Sequence, residues 1–240
     1  MTTTHSQSLL PSGNGIIAVV PAAGVGKRMG STIPKQYLTI GNKTILEHTV
    51  EKLLSHPGVS QVVIAISEGD EWYPETGIAG NDRVVVAPGG KERADSVLSA
   101  LKNMPESEWV LVHDAARPCV TPEDISALID GAMNHHDGAI LAAPVRDTMK
   151  RSTQNGMITE TVEREHLWHA LTPQMFRREQ LLRALEKALQ EGAPVTDEAS
   201  AIEYCGGKPK LVCGRADNIK ITQPEDLALA AYYLTQQNNG

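Results

Sequence analysis

Hydrophobic residues in this chain are concentrated in short runs, and segments with helical spacing separate these runs. Five runs have the length of a strand and consist mainly of Val, Ile, Leu and Ala; they cover residues 16–21, 61–66, 83–87, 109–114 and 138–143. Continuous apolar runs of this kind are typical of strands that are buried on both faces. The pattern therefore predicts an α/β fold with a mostly parallel central sheet flanked by helices.

Helix start and stop signals support this alternation. Thr44 and Glu47 have the spacing of a capping box, and Thr121 followed by Pro122 indicates a second helix start. A third helical segment carries leucines on one face and ends at Gly192, a residue type that often follows a last helical turn. We therefore expect helices between the predicted strands.

The C-terminal part of the chain continues with shorter elements. Its pattern predicts a helix at 196–205, strands at 208–213 and 218–221, and a last helix opened by Thr222 and Glu225. The sequence contains no repeat, low-complexity tract or interdomain linker.

The alternation of strands and helices stops after the fifth run. Residues 144–151 and 157–165 have the pattern of two exposed strands, and Asn155 with Gly156 between them forms a favoured hairpin turn. An isolated two-stranded ribbon is marginally stable in water, so a projecting arm at about 144–166 is expected to pack on another surface, with a second subunit as the economical partner. The alternative is an ordinary edge hairpin of the main sheet, and the sequence does not decide between the two.

Composition limits the class of protein. With 240 residues, of which 41% are hydrophobic, the chain has material for one domain, expected at 15–240 after a disordered leader at 1–14. The net charge of -7 disfavours a nucleic-acid-binding protein, and no run approaches the roughly 18 apolar residues of a membrane-spanning helix. The three cysteines have the spacing of neither a disulfide framework nor a zinc site, so a reducing, cytoplasmic location is expected.

A glycine-containing loop, PAAGVGKRMG, follows the first predicted strand. Parallel α/β sheets bind ligands at the carboxyl ends of their strands, and closely spaced glycines let backbone N–H groups surround an anion. The spacing matches neither the dinucleotide-binding fingerprint nor the P-loop. Because the loop carries Lys27 and Arg28 and is followed by Lys35, we expect it to hold a polyphosphate, with Arg28 and Lys35 neutralising charge on a transferred phosphate.

Two further strand ends carry residues suited to the same edge of the sheet. Asp114 ends the fourth run and supplies one hard oxygen ligand, which suits Mg²⁺ held together with substrate phosphates; capping the next turn or pairing with Arg117 is an equal alternative. Gly89 and Gly90 follow the third run and permit the close approach of a flat base, which Ser96 is near enough in sequence to hydrogen-bond. A plain loop and a capped helix are the alternative for that segment.

Together these segments resemble those of the 2-C-methyl-D-erythritol 4-phosphate cytidylyltransferases, enzymes of non-mevalonate isoprenoid precursor biosynthesis. The resemblance covers residues from about 16 to 234, and it is carried by PAAGVGKRMG with PKQY, GGKERADSV, VLVHDAARP, APVRDTMKR, LWHALTPQ, TDEASA and GRADNIKIT. It implies a Rossmann-like nucleotidyltransferase fold and the transfer of CMP from CTP to 2-C-methyl-D-erythritol 4-phosphate, with release of pyrophosphate and with Mg²⁺ as cofactor. It also implies a homodimer joined by the hairpin arm.

The resemblance further implies roles for individual residues. Arg28 and Lys35 would stabilise the transition state, and Asp114 would bind the metal ion. The residues implied in binding the alcohol phosphate are Arg164, Lys220 and Thr196, with Arg164 serving the neighbouring subunit if the arm crosses the dimer axis. The residues implied in binding CTP are Ala22, Ala23, Gly24, Gly90 and Ser96. Lys91 stands where many relatives have an acidic or small residue, so only a main-chain contact to the base is expected there.

Two alternatives to this function stay open. A cytidylyltransferase for another polyol or sugar phosphate, such as ribitol 5-phosphate, would have the same nucleotide half of the site. A non-catalytic nucleotide-binding module would keep the glycine loop without the chemistry, but the joint presence of phosphate-binding and catalytic candidates favours an enzyme. The substrate's phosphate is already anionic at neutral pH, so the reaction requires no general base, and the sequence offers no candidate for one.

Overall fold

The computed structural model describes residues 15–24 and 33–238. In chain order its strands and helices are β1 (Ile16–Pro21), β2 (Thr39–Ile40), β3 (Lys43–Thr44), α1 (Ile45–Ser55), β4 (Val59–Ile66), β5 (Val84–Pro88), α2 (Arg93–Asn103), β6 (Trp109–Val112), α3 (Pro122–Met133), β7 (Ala139–Pro144), β8 (Met149–Ser152), β9 (Ile158–Val162), β10 (Trp168–Arg177), α4 (Arg178–Gln190), α5 (Glu198–Tyr204), β11 (Lys210–Cys213) and α6 (Pro224–Asn238). Short 3₁₀ turns lie at Lys35–Tyr37 and Tyr73–Glu75. Within the described ranges, no helix combines the length and the apolar character needed to span a bilayer.

Seven strands form a central sheet in the order β11, β7, β10, β6, β1, β4, β5. Neighbouring strands are parallel except at β10, which runs antiparallel to both β6 and β7. β1 lies inside the sheet, where Val19 pairs with Val63 on one side and with Val112 on the other. The prediction of a mostly parallel central sheet is confirmed.

The strand β1 is buried on both faces because helices cover the sheet on both sides. Its residues alternate between two hydrophobic clusters: Ile16, Ala18 and Val20 belong to one, and Ile17 and Val19 belong to the other. The first cluster is completed by α1 and α3, and the second by α2, α4 and α5. A third, smaller cluster packs α6 against the segment that follows β6. This layered packing explains why the strand has a continuous apolar run in the sequence.

The predicted boundary signals of three helices are confirmed. At α1 the Thr44 hydroxyl accepts a hydrogen bond from the Glu47 N–H at 3.1 Å, and the Glu47 carboxylate accepts one from the Thr44 N–H at 2.6 Å. At α3 Thr121 is the N-cap, with Asp124 as its partner. After α4, Gly192 has a φ of 69°, a conformation that glycine adopts without strain.

The sequence pattern does not predict β10, a strand of ten residues inside the sheet. Its sequence contains Pro173, which has no N–H to donate to a neighbouring strand, and the pairing with β7 is irregular between Ala170 and Gln174. Thr172 and Gln174 are buried there. Buried polar residues are hydrogen-bonded, here to partners far away in the sequence. They interrupt the apolar run, so the local pattern of apolar residues does not predict this strand.

The predicted strand at 218–221 is wrong. These residues form an irregular connection between β11 and α6. The connection is fixed by the segment that follows β6, because the Ile221 N–H donates to the Ala116 carbonyl oxygen at 2.9 Å. A contact between two loops of this kind leaves no local signature in the sequence.

The predicted opening of the last helix is also wrong. The helix α6 begins at Pro224, and the Asp226 carboxylate accepts hydrogen bonds from the N–H and the hydroxyl of Thr222 at 2.8 and 2.9 Å. Thr222 therefore donates to this turn. Asp226, and not the predicted Glu225, is its partner.

The strands β8 and β9 form the predicted exposed hairpin, and they make a sheet of their own. The alternative of an edge hairpin of the main sheet is therefore wrong. In the turn the Gly156 N–H donates to the Thr153 carbonyl oxygen at 3.0 Å, and Gly156 has a φ of 78°. Met157 and Ile158 follow it and are 64% and 66% exposed, so the ribbon presents apolar side chains at its surface.

Candidate active site

A cavity of about 350 Å³ opens at the carboxyl ends of β1, β5 and β6. Parallel α/β sheets bind ligands at this edge, because the loops that leave neighbouring strands meet there. The 3₁₀ turn at Lys35–Tyr37 and the connection before α6 complete its walls. The predicted site residues that line it are Ala22, Ala23, Gly24, Lys35, Gly90, Ser96, Asp114 and Lys220.

Side chains from two other elements hold the loop that follows β1. The Gln36 amide donates to the Ala22 carbonyl oxygen at 2.6 Å, and the Ser67 hydroxyl donates to the Ala23 carbonyl oxygen at 2.9 Å. The Ala22 N–H donates to the Ala65 carbonyl oxygen at 2.8 Å. The backbone direction is therefore fixed where the resemblance places the nucleotide.

The predicted catalytic residue Arg28 lies outside the described residues, together with the rest of segment 25–32. Its role stays a prediction. Gly24, the last residue described before that segment, lines the cavity, and a Cβ built there would meet no atom of the described residues within 4 Å. No described residue therefore fills the space beside Gly24.

The loop after β5 approaches its neighbours so closely that two positions require glycine. A Cβ on Gly89 would lie 2.3 Å from the Ala23 Cβ and 2.8 Å from the Ile66 carbonyl oxygen. A Cβ on Gly90 would lie 2.3 Å from the Asp95 Cβ. Glycine, which has no Cβ, allows this approach. The loops after β1 and β5 therefore pack into one continuous wall of the cavity, which we name the glycine wall (residues 22–24 and 89–90).

The Ser96 hydroxyl supports the glycine wall. It accepts a hydrogen bond from the Gly90 N–H at 2.9 Å and donates its proton to the Glu92 carbonyl oxygen at 3.1 Å. Its only hydrogen is used within the protein, so a ligand would find a remaining lone pair there. The geometry gives Ser96 a role in shaping the loop, and its contact with the nucleotide stays a prediction.

Asp114 lies at the centre of a buried charge cluster, formed with Arg93, Arg117 and Lys220. Its Oδ1 accepts a hydrogen bond from Arg93 Nε at 2.8 Å. Its Oδ2 lies 2.8 Å from Lys220 Nζ and 3.5 Å from Arg117 Nε, so the pairing with Arg117 exists but is the longest of the three. Burial by itself raises the pKa of the Asp114 carboxyl, but the three cations together hold that pKa well below its usual range. Asp114 is therefore ionised at neutral pH.

Two buried side chains fix the backbone at Asp114. The Thr172 hydroxyl oxygen accepts a hydrogen bond from the Asp114 N–H at 3.0 Å and lies 3.0 Å from His113 Nδ1. His113 Nε2 lies 2.9 Å from the Arg117 carbonyl oxygen. A carbonyl oxygen only accepts, so Nε2 carries the ring proton and Nδ1 accepts from the Thr172 hydroxyl. Burial lowers the pKa of His113 to about 4, and the ring is neutral at pH 7.

Lys35 and Lys220 come from distant parts of the sequence, and the connection before α6 brings them to the same cavity. Lys35 Nζ donates to the Ile221 carbonyl oxygen at 3.1 Å, beside Lys220 in the chain. Arg117 Nη1 donates to the Asn218 carbonyl oxygen at 2.7 Å and anchors the same connection. The predicted phosphate-binding lysines are thus held together by one loop.

Two predicted substrate residues do not line this cavity. Thr196 is exposed, and its N–H donates to the Ser200 hydroxyl oxygen at 3.1 Å. Arg164 is exposed after β9, where its guanidinium donates to the Arg146 carbonyl oxygen. Within one chain, Lys220 is the residue of the predicted alcohol-phosphate set that reaches the cavity.

The structure places Arg93 on the cavity wall and Glu198 behind it, and the sequence assigns neither an individual role. Arg93 is the first residue of α2, and Glu198 is the first residue of α5. Arg93 Nη1 lies 2.7 Å from Glu198 Oε1, while Arg93 Nε bonds to Asp114. The two residues are 105 positions apart, so no local spacing in the sequence reveals the pair.

The donors at the cavity fit a magnesium ion only in a limited way. Among the residues that the structure describes, no three or more His, Cys, Asp or Glu side chains are grouped to hold a metal ion. Glu92 and Asp114 line the cavity, and Glu92 is the N-cap of α2. Mg²⁺ is commonly held by one or two carboxylates together with substrate phosphates, so Asp114 fits an ion that binds with a nucleotide.

The chain is similar to one family over almost its whole length. A family model described as 2-C-methyl-D-erythritol 4-phosphate cytidylyltransferase (IspD) matches residues 16–236. A protein of that name from Vibrio atlanticus is 66% identical over 224 residues, which cover 92% of this chain and 96% of the relative. One from Citrobacter koseri is 60% identical over 222 residues, which cover 92% of this chain and 96% of the relative.

Solved structures with the same name share the fold. The crystal structure of Francisella tularensis 2-C-methyl-D-erythritol 4-phosphate cytidylyltransferase has a TM-score of 0.79 at 37% identity, covering 91% of this chain and 99% of that chain. The enzyme from Thermus thermophilus has a TM-score of 0.77 at 30% identity, covering 91% of this chain and 98% of that chain. The predicted α/β nucleotidyltransferase fold is confirmed.

Proposed function

The chain belongs to the 2-C-methyl-D-erythritol 4-phosphate cytidylyltransferase family, and from this we propose that it transfers CMP from CTP to 2-C-methyl-D-erythritol 4-phosphate and releases pyrophosphate. The reaction belongs to non-mevalonate isoprenoid precursor biosynthesis. The observation that carries the proposal is that Lys35, Arg93, Asp114 and Lys220 line one cavity at the carboxyl edge of the sheet. Clustered cations in a cleft favour anionic substrates.

We place the base of CTP against the glycine wall. Side chains are small or absent along residues 22–24 and 89–90, so a flat ring can approach the main chain closely. In the sequence, Gly24 is followed by the segment that carries Arg28. The triphosphate is proposed to extend from this wall to Lys35, which lines the same cavity, and the contact with Arg28 stays a prediction of the resemblance.

The proposed chemistry is one displacement at phosphorus. An oxygen of the substrate's 4-phosphate attacks the α-phosphorus of CTP and forms a new P–O bond, while the bond from the α-phosphorus to the α–β bridging oxygen breaks. Pyrophosphate leaves with that electron pair. The attacking oxygen is already anionic, so the protein's part is to align two anions and neutralise developing charge. Lys35 and, by prediction, Arg28 supply this charge.

Asp114 is proposed as the protein ligand of Mg²⁺. When bound with CTP, the ion would neutralise phosphate charge and hold the triphosphate in one geometry. Two features support Asp114 in this role: its carboxyl is ionised, and the Thr172 hydroxyl holds its backbone on the cavity wall.

The alcohol phosphate is proposed to bind at Lys220, with Thr196 and Arg164 completing its site. Arg164 is exposed in its own chain and does not line the cavity. We therefore propose a homodimer in which the hairpin packs on a second copy and presents Arg164 to the partner's cavity. The exposed Met157 and Ile158 support this arrangement, because an isolated ribbon gains stability when another surface covers its apolar side chains.

A cytoplasmic location is part of the same proposal. Cys119, Cys205 and Cys213 are free thiols, and the last two are exposed. Free thiols are typical of a reducing compartment.

A pyrophosphate-release assay with CTP, Mg²⁺ and a panel of alcohol phosphates tests the function. We expect release with 2-C-methyl-D-erythritol 4-phosphate and little with ribitol 5-phosphate, and UTP serves as the control for the base. If more pyrophosphate is released with ribitol 5-phosphate than with 2-C-methyl-D-erythritol 4-phosphate, the substrate is another polyol phosphate. CTP binding without release on any acceptor would indicate a non-catalytic nucleotide-binding module.

A further inference from the structure

Glu198 is a fully buried acidic side chain beside the cavity, and no step of the proposed reaction uses it. Gln174 of β10 binds the residues on both sides of it, the backbone of Ala199 and the side chain of Asp197. Gln174 Oε1 accepts a hydrogen bond from the Ala199 N–H at 2.9 Å, and Gln174 Nε2 donates to the Asp197 carboxylate at 2.9 Å. Because Gln174 is itself buried in the central sheet, the sheet sets the position of Glu198.

The Glu198 carboxylate holds the guanidinium of Arg93 in one orientation. Arg93 Nη1 donates to Oε1 at 2.7 Å, and Arg93 Nη2 donates to Oε2 at 3.1 Å, which makes a two-bond fork. Arg93 Nε donates to Asp114 Oδ1 at 2.8 Å. The fork directs both Nη groups at Glu198, and Asp114 receives a single bond from Arg93, through Nε.

Stability alone does not explain a charged pair in this place. Taking two charges out of water is costly, and replacing a buried ion pair by apolar side chains is often neutral or stabilising. A positioning role accounts for the pair, because Arg93 contacts Asp114 directly. Without the fork, Arg93 Nη groups could turn to Asp114 and compete with Lys220 for its Oδ2, which Lys220 now approaches at 2.8 Å.

We propose that Glu198 is a positioning residue, which holds Arg93 and thereby fixes the Asp114 carboxylate with its Oδ2 available to Lys220. The role rests on the proposed function. It connects the two halves of the site, because Arg93 begins the helix after the nucleotide loop and Lys220 belongs to the alcohol-phosphate side.

The variant Glu198→Gln tests this role with little change in shape. The amide group places a donor against a donor of Arg93, so one bond of the fork is lost together with the charge. We expect kcat to fall by about 10- to 100-fold, the range typical for losing the partner of a site ligand, and KM for CTP to change by less than about threefold. Glu198→Asp keeps the charge at a shorter reach and should recover part of kcat; a kcat no higher than that of Glu198→Gln would contradict a role of the charge.

A double-mutant cycle with Arg93→Met separates positioning from general destabilisation. If Glu198 acts through Arg93, adding Glu198→Gln to the Arg93→Met chain should change kcat by less than about twofold. The double variant should also have a higher Tm than Arg93→Met alone, which leaves the Glu198 charge buried without its partner. If the fold losses of kcat in the two single variants multiply in the double variant, Glu198 acts independently of Arg93 and the proposal is overturned.

The Arg93 Nε–H resonance in a nitrogen–proton NMR spectrum, assigned by its loss in Arg93→Met, reports the fork without turnover. We expect slow exchange of this proton with water in the unmodified chain and fast exchange in Glu198→Gln. Ser200→Ala is the matched control, because it removes the hydroxyl that accepts from the Asp197 N–H in the cap of the same helix and leaves the bonds of Gln174 and Arg93 in place. It should lower Tm and leave the resonance unchanged.

Failure of this inference is distinguishable from failure of the proposed function. Absence of pyrophosphate release by the unmodified chain would refute the function, and the Arg93 resonance would still decide whether Glu198 holds Arg93. A slowly exchanging Arg93 proton in Glu198→Gln would refute the positioning role, as would an unchanged kcat in a chain that is otherwise active.

Discussion

The charge cluster around Asp114 and the β8–β9 hairpin differ in how many other parts of the chain fix them. Asp114 contacts side chains from α2, from the segment after β6 and from the connection before α6, and Thr172 of β10 holds its backbone. The two strands of the hairpin pair with each other, and side chains such as Arg151 and Glu160 pair across them at 2.5 Å. The described part of the cavity is therefore organised within one chain, whereas the hairpin is proposed to gain support from a second copy. Substitutions in the two regions should accordingly affect different measurements.

The largest effect is expected from Lys35→Ala in the cavity. Removing one preorganised group that stabilises transition-state charge typically costs about 100- to 1000-fold in rate. We expect kcat for pyrophosphate release to fall by about that factor, while CTP affinity measured by calorimetry stays within about tenfold. Lys43→Ala, at an exposed lysine paired with Glu51, is the control. A kcat close to that of the unmodified chain would remove Lys35 from the proposed chemistry.

Gly89→Ala changes the packing of the glycine wall and leaves its charges in place. A Cβ at this position would lie 2.3 Å from the Ala23 Cβ, so the two loops must separate, and overpacking of this kind costs about 1–3 kcal/mol of unfolding free energy. We expect a lower Tm and CTP binding weakened by about tenfold. For Tm the matched comparison is Gly24→Ala, whose Cβ would meet no atom of the described residues within 4 Å. Unchanged CTP affinity in Gly89→Ala would exclude this wall from the nucleotide site.

The pH dependence of unfolding tests how firmly the backbone at Asp114 is held. Burial lowers the pKa of His113 from 6.5 to about 4, so the unfolded chain binds more protons between those values. Stability should therefore fall as the pH is lowered through this window and return as it is raised, by about 2 kcal/mol between pH 7 and pH 5. The pKa of Asp114 is lowered from 3.8, so the stability that this carboxylate contributes is lost only at pH values below this window.

Urea unfolding of the unmodified chain and of His113→Gln at pH 7 and pH 5 measures this contribution. The variant should be less stable at pH 7, because it loses the ring that links Thr172 to the Arg117 carbonyl. It should lose less stability than the unmodified chain between the two pH values. Equal losses would contradict the assignment of the pH dependence to His113.

Local patterns predict the parts of the fold that have local causes. Thr44 and Glu47 cap α1 within one turn, and the apolar run of β1 reflects burial on both faces. The strand β10 has no such pattern, because its buried Thr172 and Gln174 are satisfied by partners elsewhere in the chain. Prediction from the sequence fails where a residue's environment is made by distant contacts.

The same division applies to the candidate site. The ends of the apolar runs place Asp114 and Gly90 at the edge where the cavity lies. The pair of Arg93 and Glu198 depends on the meeting of the first residues of α2 and α5, which no spacing in the sequence encodes. Arg164 is predicted by resemblance alone, and a single chain does not bring it to the cavity.

Complementation between two inactive chains tests whether Arg164 acts across a dimer. In mixed dimers of Lys35→Ala with Arg164→Ala, one of the two cavities would combine an intact Lys35 with an intact Arg164 from the other chain. Random mixing should then restore about a quarter of the unmodified activity, since about half of the dimers are mixed and half of their cavities are complete. If Arg164 serves its own cavity, mixing would restore none. Each variant mixed with itself is the control.

The smallest effect on a single chain is expected from replacing both Met157 and Ile158 by Ser. These side chains are 64% and 66% exposed, so the unfolding free energy should change by no more than about 0.5 kcal/mol at concentrations where the chain is monomeric. Sedimentation should nevertheless show weaker association, because the hairpin loses the apolar surface proposed to contact the second copy. The matched control replaces Leu229 and Tyr232, two exposed apolar residues on α6, by Ser. If both changes weaken association equally, or if neither does, the apolar surface of the hairpin is not what joins the two copies.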